Sequence, residues 1–213
     1  NLMCYAIELS PCGSYIFSAW SDGKIRAFYP QSGKLHFSIP DAHIDGVRSL
    51  AIASFNQEKS GNGRLVSGGV DGRVRVWKIT PSHQSMLFSM KEHRGIVHSV
   101  KCTSDGIHAL SGAADGSCIV WDIMKGVRLN AVFETTVFKD VLFHPDESQF
   151  LTCGSNCKIN YWDSFDGDTI RVIEGGSAAM TLAVSPSKRA LKRATLSGSS
   201  LLAVPINPNR SFV

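Results

Sequence analysis

Short stretches of alternating apolar and polar residues recur along the chain, each with a tight turn in its middle. The clearest stretch is SGAADGSCIVWD, from Ser111 to Asp122, in which small and apolar residues flank an Asp-Gly pair. Asp-Gly tolerates the positive φ that a hairpin turn requires, and Val, Ile and Trp favour strands. The pattern therefore predicts a strand, a turn and a second strand ending at Trp121.

Three more copies of this pattern follow the same frame: SAWSDGKIRAF at 18–28, SGGVDGRVRVWK at 67–78 and TCGSNCKINYWD at 152–163. Their turn residues are separated by 49, 44 and 41 positions. A period of about 40–50 residues with four short strands per unit is typical of a β-propeller blade. We therefore predict an all-β fold of about four four-stranded blades, near residues 1–40, 41–90, 91–133 and 134–174.

A fifth unit begins at 175–184, and the pattern then fails. Residues 185–213 contain no Asp-Gly, no Trp and no acidic residue, but five basic ones. A decayed blade, a disordered basic tail and a sequence altered by splicing or a frame change are three open explanations. Four blades and a remnant do not close a ring, so we expect the chain to depend on upstream blades or on a second copy.

The overall charge of +4 belongs to this last segment, because residues 1–184 carry 17 basic and 18 acidic residues. Nucleic-acid binding by the blades is not expected, since it requires a basic surplus that neutralises phosphates. No apolar run approaches the roughly 20 residues of a membrane span. We expect neither a nucleic-acid nor a membrane partner.

Six cysteines lie at irregular spacings, and several fall inside predicted strands. Reduced, buried thiols of a cytoplasmic protein explain this best. Cys153 and Cys157 flank a turn, but no second Cys or His pair follows at zinc-ligand spacing. We expect no metal and no other cofactor.

The spacing within the repeat resembles that of WD-repeat proteins, over residues 1 to about 186: Trp follows the turn Asp by six positions, and Ser or Thr precedes it by four. The resemblance implies a buried, hydrogen-bonded set of His, Ser or Thr, Asp and Trp in each blade. By position, the two complete sets are His43, Ser67, Asp71 and Trp77 in the second blade and His93, Ser111, Asp115 and Trp121 in the third.

The other two blades depart from the family pattern. The fourth keeps Thr152 and Trp162, but has Asn156 for Asp and Glu134 where His would be. The first has a partial set: Ser18, Asp22 and Phe28, with Phe28 at the tryptophan position. We expect these two blades to be looser.

In WD-repeat proteins the loops before the inner strand and around the Asp-Gly turn share one face, which commonly binds partners. The candidates on this partner face are Ser21, Ile44, Asp45, Val70, Arg94, Ile96, Ala114 and Ser155. Trp20, an aromatic residue just before a turn, is the strongest single anchor, with packing against the next blade as the alternative. The insertion at 54–63 indicates a tolerated surface loop or, less often, a binding loop.

Several segments, among them FHPDESQF and KINYWDSFDGDTIRVIEG, are similar to the later blades of an axonemal WD-repeat protein. The similarity implies a non-enzymatic scaffold, a microtubule inner protein that contacts tubulin and neighbouring inner proteins in the cilium or flagellum. A cytosolic adaptor in a ligase, trafficking or nuclear complex is the alternative. Catalysis is not expected, because the His-Asp pairs of the second and third blades repeat at the same blade position, which indicates a structural role.

Overall fold

The computed structural model describes residues 1–55, 62–184, 190–195 and 204–205, and within these ranges the secondary structure consists of strands and turns. The first blade contains β1 (Cys4–Leu9), β2 (Ile16–Trp20), β3 (Ile25–Phe28) and β4 (Leu35–Ile39). The second contains β5 (Val47–Phe55), β6 (Gly63–Gly69), β7 (Val74–Ile79) and β8 (Gln84–Met90). The third contains β9 (Val97–Cys102), β10 (His108–Ala113), β11 (Ser117–Asp122) and β12 (Val127–Phe133). The fourth contains β13 (Phe138–Phe143), β14 (Gln149–Gly154), β15 (Lys158–Asp163) and β16 (Thr169–Glu174).

In each of these sheets the strands are antiparallel and adjacent in chain order. The all-β prediction of four four-stranded blades is therefore confirmed. In the second blade both ends of the insertion at 54–63 belong to strands, since β5 ends at Phe55 and β6 begins at Gly63. Residues 56–61 of the insertion lie outside the described ranges.

A fifth, three-stranded sheet follows the fourth blade. In it β17 (Ala179–Val184) pairs with β18 (Ala190–Thr195), which pairs with β19 (Val204–Pro205). The strand β18 lies beyond residue 184, where the sequence pattern places the end of the repeat, so pairing continues further than expected. This sheet is the degenerate fifth blade, and the remaining tail residues lie outside the described ranges.

The blades stack through their apolar faces. Along β3, Ile25 and Ala27 are fully buried and pack in one cluster with Leu50 and Trp77 of the second blade. The intervening residues of β3 face the opposite side, as the two-residue period of a strand requires. Similar clusters join the second blade to the third, the third to the fourth, and the fourth to the fifth.

The Asp-Gly turns also fix each blade to the next through the backbone. Gly23 has a φ of 76°, and its carbonyl accepts a 3.1 Å hydrogen bond from the His43 amide. A Cβ on Gly23 would lie 2.2 Å from the carbonyl oxygen of His43. Gly116 makes the same contact with Glu134, with a 2.9 Å bond and a φ of 80°. Glycine is therefore required here by both conformation and space.

The first blade leaves its other face open. One cross-strand row on it is apolar across all four strands, from Leu9 through Ile16 and Phe28 to Leu35. Leu9 and Leu35 are 57% and 53% exposed. If this face bares on the order of 500 Å² of apolar surface, then at about 25 cal/mol per Å² its exposure costs roughly 12 kcal/mol.

We predict that the 213-residue chain alone self-associates, because a face of this size is rarely left in water. Light scattering coupled to size exclusion, across a range of concentrations, measures this. Leu9→Lys combined with Leu35→Lys should shift the population toward monomer. A monodisperse unmodified monomer with one cooperative melting transition would contradict the prediction.

Candidate functional site

Every one of the four complete blades contains a buried hydroxyl that accepts an indole N–H. In blades two to four the indole comes from the third strand, as the family resemblance implies. The Nε1 to hydroxyl distances are 2.9 Å for Trp77 and Ser67, 2.7 Å for Trp121 and Ser111, and 2.9 Å for Trp162 and Thr152. The three acceptors are fully buried.

The second blade has the complete set that the sequence predicts. His43 Nδ1 lies 2.8 Å from Asp71 Oδ1, and its Nε2 lies 2.7 Å from Ser67 Oγ. The carboxylate accepts from Nδ1, so Nε2 accepts the proton of Ser67. Arg75 donates to Asp71 Oδ2 at 2.9 Å and to the carbonyl of Ala42 at 2.6 Å. The set thus joins β6 and β7 to the loop before β5.

In the third blade an additional residue links the histidine to the turn carboxylate. His93 Nε2 lies 2.6 Å from Ser111 Oγ, but its Nδ1 lies 3.8 Å from Asp115 Oδ1. Ser117 Oγ fills the gap, 2.5 Å from the imidazole and 2.5 Å from the carboxylate. Sequence reasoning missed Ser117, although a Ser two positions after the turn Asp is a signal that could have found it.

The fourth blade replaces the His-Asp contact with a different polar pair. Asn156 Nδ2 donates to Glu134 Oε2 at 2.8 Å, so the two substituted positions still meet. The turn residue after Asn156 is Cys157, which has a φ of 60° at the place where the other turns have glycine. A non-glycine residue in this region is strained.

The first blade substitutes an indole from another strand. Trp20 in β2 donates from Nε1 to Ser18 Oγ at 2.7 Å, because Phe28 has no N–H to give. In the second blade Gly69 occupies the register position of Trp20, and a Cβ there would lie 2.0 Å from His43 Nδ1. The Trp20 ring therefore extends into the space that a blade histidine fills elsewhere.

The turn carboxylate of the first blade binds an arginine at the position that Arg75 occupies in the second blade. Asp22 binds Arg26 through two hydrogen bonds, 3.1 and 2.6 Å long. The Arg26 guanidinium lies 5.1 Å from the centre of the Trp20 ring, which is a cation–π distance. The role of Trp20 as a partner anchor stays a prediction, and the structure shows it half-buried in these contacts.

The charge states follow from burial. Burial lowers the pKa of His43, although the Asp71 carboxylate opposes this effect. Burial lowers the pKa of His93 to about 4. Burial alone would raise the pKa of Asp71, but the His43 hydrogen bond and the Arg75 charge hold it below its ordinary value. Both imidazoles are therefore neutral at pH 7, and the carboxylate of Asp71 is ionised.

The two imidazoles are enclosed within their blades. The side chains of His43 and His93 have no exposed surface. Among the described residues, no group of three or more His, Cys, Asp or Glu side chains could hold a metal ion. Cys118 and Cys153 are buried as expected, whereas Cys4 and Cys12 are exposed. Within the same ranges, no helix has the length and apolar character to cross a membrane.

The residues of the partner face divide by exposure. Ile44, Asp45, Arg94 and Ser155 are exposed, and Ile44 is 67% exposed. The backbone amide of Arg94 donates to Asp115 Oδ2 at 2.5 Å, so the loop is held while the side chain stays free of it. Their use by a partner stays a prediction.

The other four residues of this face contribute mainly through their backbones. Ser21, Val70, Ile96 and Ala114 are half-buried. The amide of Val70 donates to Gly46 O at 3.0 Å, and the amide of Ala114 donates to Ile96 O at 2.8 Å. These four positions therefore also serve to hold neighbouring loops together.

Sequence reasoning also missed Asp140, a buried carboxylate on the inner strand of the fourth blade. It accepts from Ser99 Oγ at 2.6 Å in the third blade, and from Thr181 Oγ1 and the Leu182 amide, both at 2.8 Å, in the fifth. One side chain thus ties three blades together. Its only sequence signal is an acid inside an apolar strand.

The repeated sheets and their hydrogen-bonded sets define a WD-repeat propeller segment. A family model described as WD domain, G-beta repeat matches residues 33–78, 84–122 and 131–163, which is more than half of the chain. The chain belongs to this family.

Comparison with curated proteins identifies relatives that are similar over most of this chain. Cilia- and flagella-associated protein 52 of Chlamydomonas reinhardtii is 45% identical over 175 residues, which cover 82% of this chain and 28% of that protein. The protein of the same name from Mus musculus is 38% identical over 82% of this chain and 27% of its own length. The chain therefore spans just over a quarter of these relatives. The predicted similarity to a WD-repeat protein of cilia and flagella is confirmed as sequence similarity.

We predict that Asp115→Ala destabilises the protein by about 1–3 kcal/mol, because Ser117 and the Arg94 amide lose a partly buried acceptor. Thermal and denaturant unfolding measure this loss. Asp168→Ala, in an exposed turn, is the matched control and should change stability little. An unchanged melting temperature for Asp115→Ala would refute the structural role of this set.

We also predict that stability falls as the pH drops from about 6.5 to about 4. A buried His93 with a pKa near 4 binds fewer protons than the same residue in the unfolded chain, where the value is 6.5. Acid therefore favours the unfolded state, and for His93 the full loss is about 3 kcal/mol. The lowered pKa values of Asp71 and Asp115 add losses only at still lower pH.

Denaturant unfolding at a series of pH values gives this slope. His93→Gln should reduce it, whereas His83→Gln, at an exposed histidine, should leave it unchanged. Equal slopes for His93→Gln and the unmodified protein would refute the assignment of a buried neutral imidazole.

Proposed function

We propose that the protein is a non-enzymatic interaction scaffold of the cilium or flagellum, and more specifically an axonemal microtubule inner protein. The observation that carries this proposal is the 45% identity to a cilia- and flagella-associated protein across 82% of the chain. In this role the propeller contacts tubulin and neighbouring inner proteins, and it resides in the cytoskeleton of the axoneme.

The distribution of polar groups supports a scaffold over an enzyme. The His and Asp residues that could form a catalytic pair recur at equivalent positions in the second and third blades, and their partners are other residues of the same blade. A catalytic centre requires groups that reach a substrate, whereas these side chains form hydrogen bonds inside their own blades.

The partner face supplies the surface that such a scaffold needs. Ile44 presents an exposed apolar side chain beside the carboxylate of Asp45. The Ile44 amide lies 3.4 Å from Asp71 Oδ2, so the loop that carries the apolar side chain is attached to the buried set below it. A rigid loop with an exposed apolar tip loses little entropy on binding.

Localisation of the tagged full-length protein in ciliated cells tests the proposal. We expect it along the axoneme, and we expect it to remain with doublet microtubules after detergent and salt extraction that releases soluble proteins. A diffuse protein that never sediments with axonemes would overturn the proposal. That outcome would favour the alternative, an adaptor in a cytosolic ligase, trafficking or nuclear complex.

A further inference from the structure

A cavity of about 400 Å³ opens between the third and fourth blades. It lies among the turns at the strand ends opposite the Asp-Gly turns, so it belongs to the face away from the partner face. Its apolar lining comes from Val120, Leu129, Phe143 and Phe165, and Glu147 and Asp163 stand at its polar side. Pockets that accept ligand groups typically measure about 300–1,000 Å³.

Next to the cavity, an aromatic residue of the previous blade junction is not repeated. Between the second and third blades, the Phe88 ring packs on Gly126, where a Cβ would lie 2.4 Å from the ring. At the next junction the equivalent glycine, Gly167, faces Asn130 instead. Phe88 pairs with Val76 and Asn130 with Val120, so the two residues occupy the same place in their blades.

The lip of the cavity carries two exposed apolar side chains on well-anchored backbone. Phe165 is 96% exposed and Leu129 is 52% exposed. The Phe165 amide donates to Asp163 Oδ1 at 2.7 Å, and its carbonyl accepts from Asn130 Nδ2 at 3.3 Å. The turn is therefore fixed while its ring points away from the core.

The turns around the cavity are strongly acidic. The four turns at 103–107, 122–126, 144–148 and 163–168 together hold seven carboxylates and one lysine. The blades as a whole are nearly neutral, with 17 basic and 18 acidic residues in 1–184. Negative charge is thus concentrated on this side of blades three and four.

Turn geometry explains where these carboxylates sit, because several accept amide hydrogens of their own turns. Asp105 accepts from Ile107 at 2.9 Å, and Asp166 accepts from Asp168 at 2.9 Å. Asn would form the same bonds without a charge. Turn geometry therefore does not explain why these positions carry charge. Binding of a basic partner segment at the neighbouring apolar cavity would explain it.

We propose that this cavity binds a segment of a partner protein in which a large apolar side chain is flanked by Lys or Arg. The apolar side chain packs against Val120 and Phe143 in the cavity. The flanking cations face Glu147 and the acidic turn at 163–168. The inference deepens the proposed scaffold function, because it assigns a partner chemistry to a second face of the propeller.

Selection from a display library of random twelve-residue peptides against the full-length protein tests this. We expect enriched peptides to share an apolar residue flanked by basic ones. Leu129→Lys should weaken their binding at least tenfold, measured by fluorescence anisotropy. Asn130→Phe places an aromatic ring beside Phe165 at the lip of the cavity without a change of charge, and it should do the same.

The chain offers matched controls. Leu87→Lys changes the equivalent residue of the second blade and should leave binding unchanged. Asp166→Asn with Asp168→Asn should weaken binding about three- to tenfold and reduce its salt dependence, whereas Asp41→Asn with Glu174→Gln, at exposed acids outside both proposed binding surfaces, should not. Unaltered melting temperatures show that each variant is folded.

Two results would overturn the inference: no enriched peptide, or enriched peptides that bind the Leu129→Lys and Asn130→Phe variants normally. These results are distinguishable from a failure of the proposed function. A protein absent from axonemes that still selects such peptides would refute only the axonemal role. An axonemal protein whose cavity selects nothing would refute only this site.

Discussion

The bond from an indole N–H to a buried hydroxyl is the constraint on which each blade depends. It recurs in all four complete blades, at 2.7–2.9 Å, and its acceptors are Ser18, Ser67, Ser111 and Thr152. An indole buried among apolar side chains without a partner for its N–H is costly. The first blade shows how strong this requirement is, because there the indole comes from a different strand and the bond is still formed.

The residues at the His and turn-Asp positions vary from blade to blade. In the second and third blades they continue the hydrogen bonds from the buried hydroxyl to the turn. A direct His43–Asp71 contact closes this chain of hydrogen bonds in the second blade and a Ser117 bridge closes it in the third, whereas the fourth blade has an Asn156–Glu134 pair at these positions. In each of these blades one hydrogen-bonding residue, His43, His93 or Glu134, comes from the loop that precedes the inner strand. The same loop residues, His43 and Glu134, donate their amides to the Asp-Gly turn of the preceding blade. Each loop is thus fixed on both sides, which makes adjacent blades stable together.

The regular parts of this structure could be predicted because they depend on period and spacing alone. The four sheets follow from two-residue alternation and the recurring turns, whereas the set of the second blade was predicted from the resemblance to WD-repeat proteins. Ser117 was missed because the complete sets of the second and third blades have the same turn spacing, and only the structure shows a His93 to Asp115 distance of 3.8 Å that needs a bridge. Asp140 depends on contacts with two other blades. The strand β18 was missed because Lys192 and Arg193 obscure the alternation in ALKRAT.

Comparison of equivalent positions in the four blades also distinguishes residues that the fold requires from residues that it does not. A residue that every blade needs appears at the same position in each blade, as the buried hydroxyl does. Where one blade departs from its neighbour without a gain in packing, stability does not explain the change. Asn130 stands where the second blade has an aromatic ring, and Phe165 leaves a ring in water, and both reduce apolar burial. Because both departures adjoin one cavity under one acidic surface, a demand from outside the chain accounts for them better than independent drift at each position.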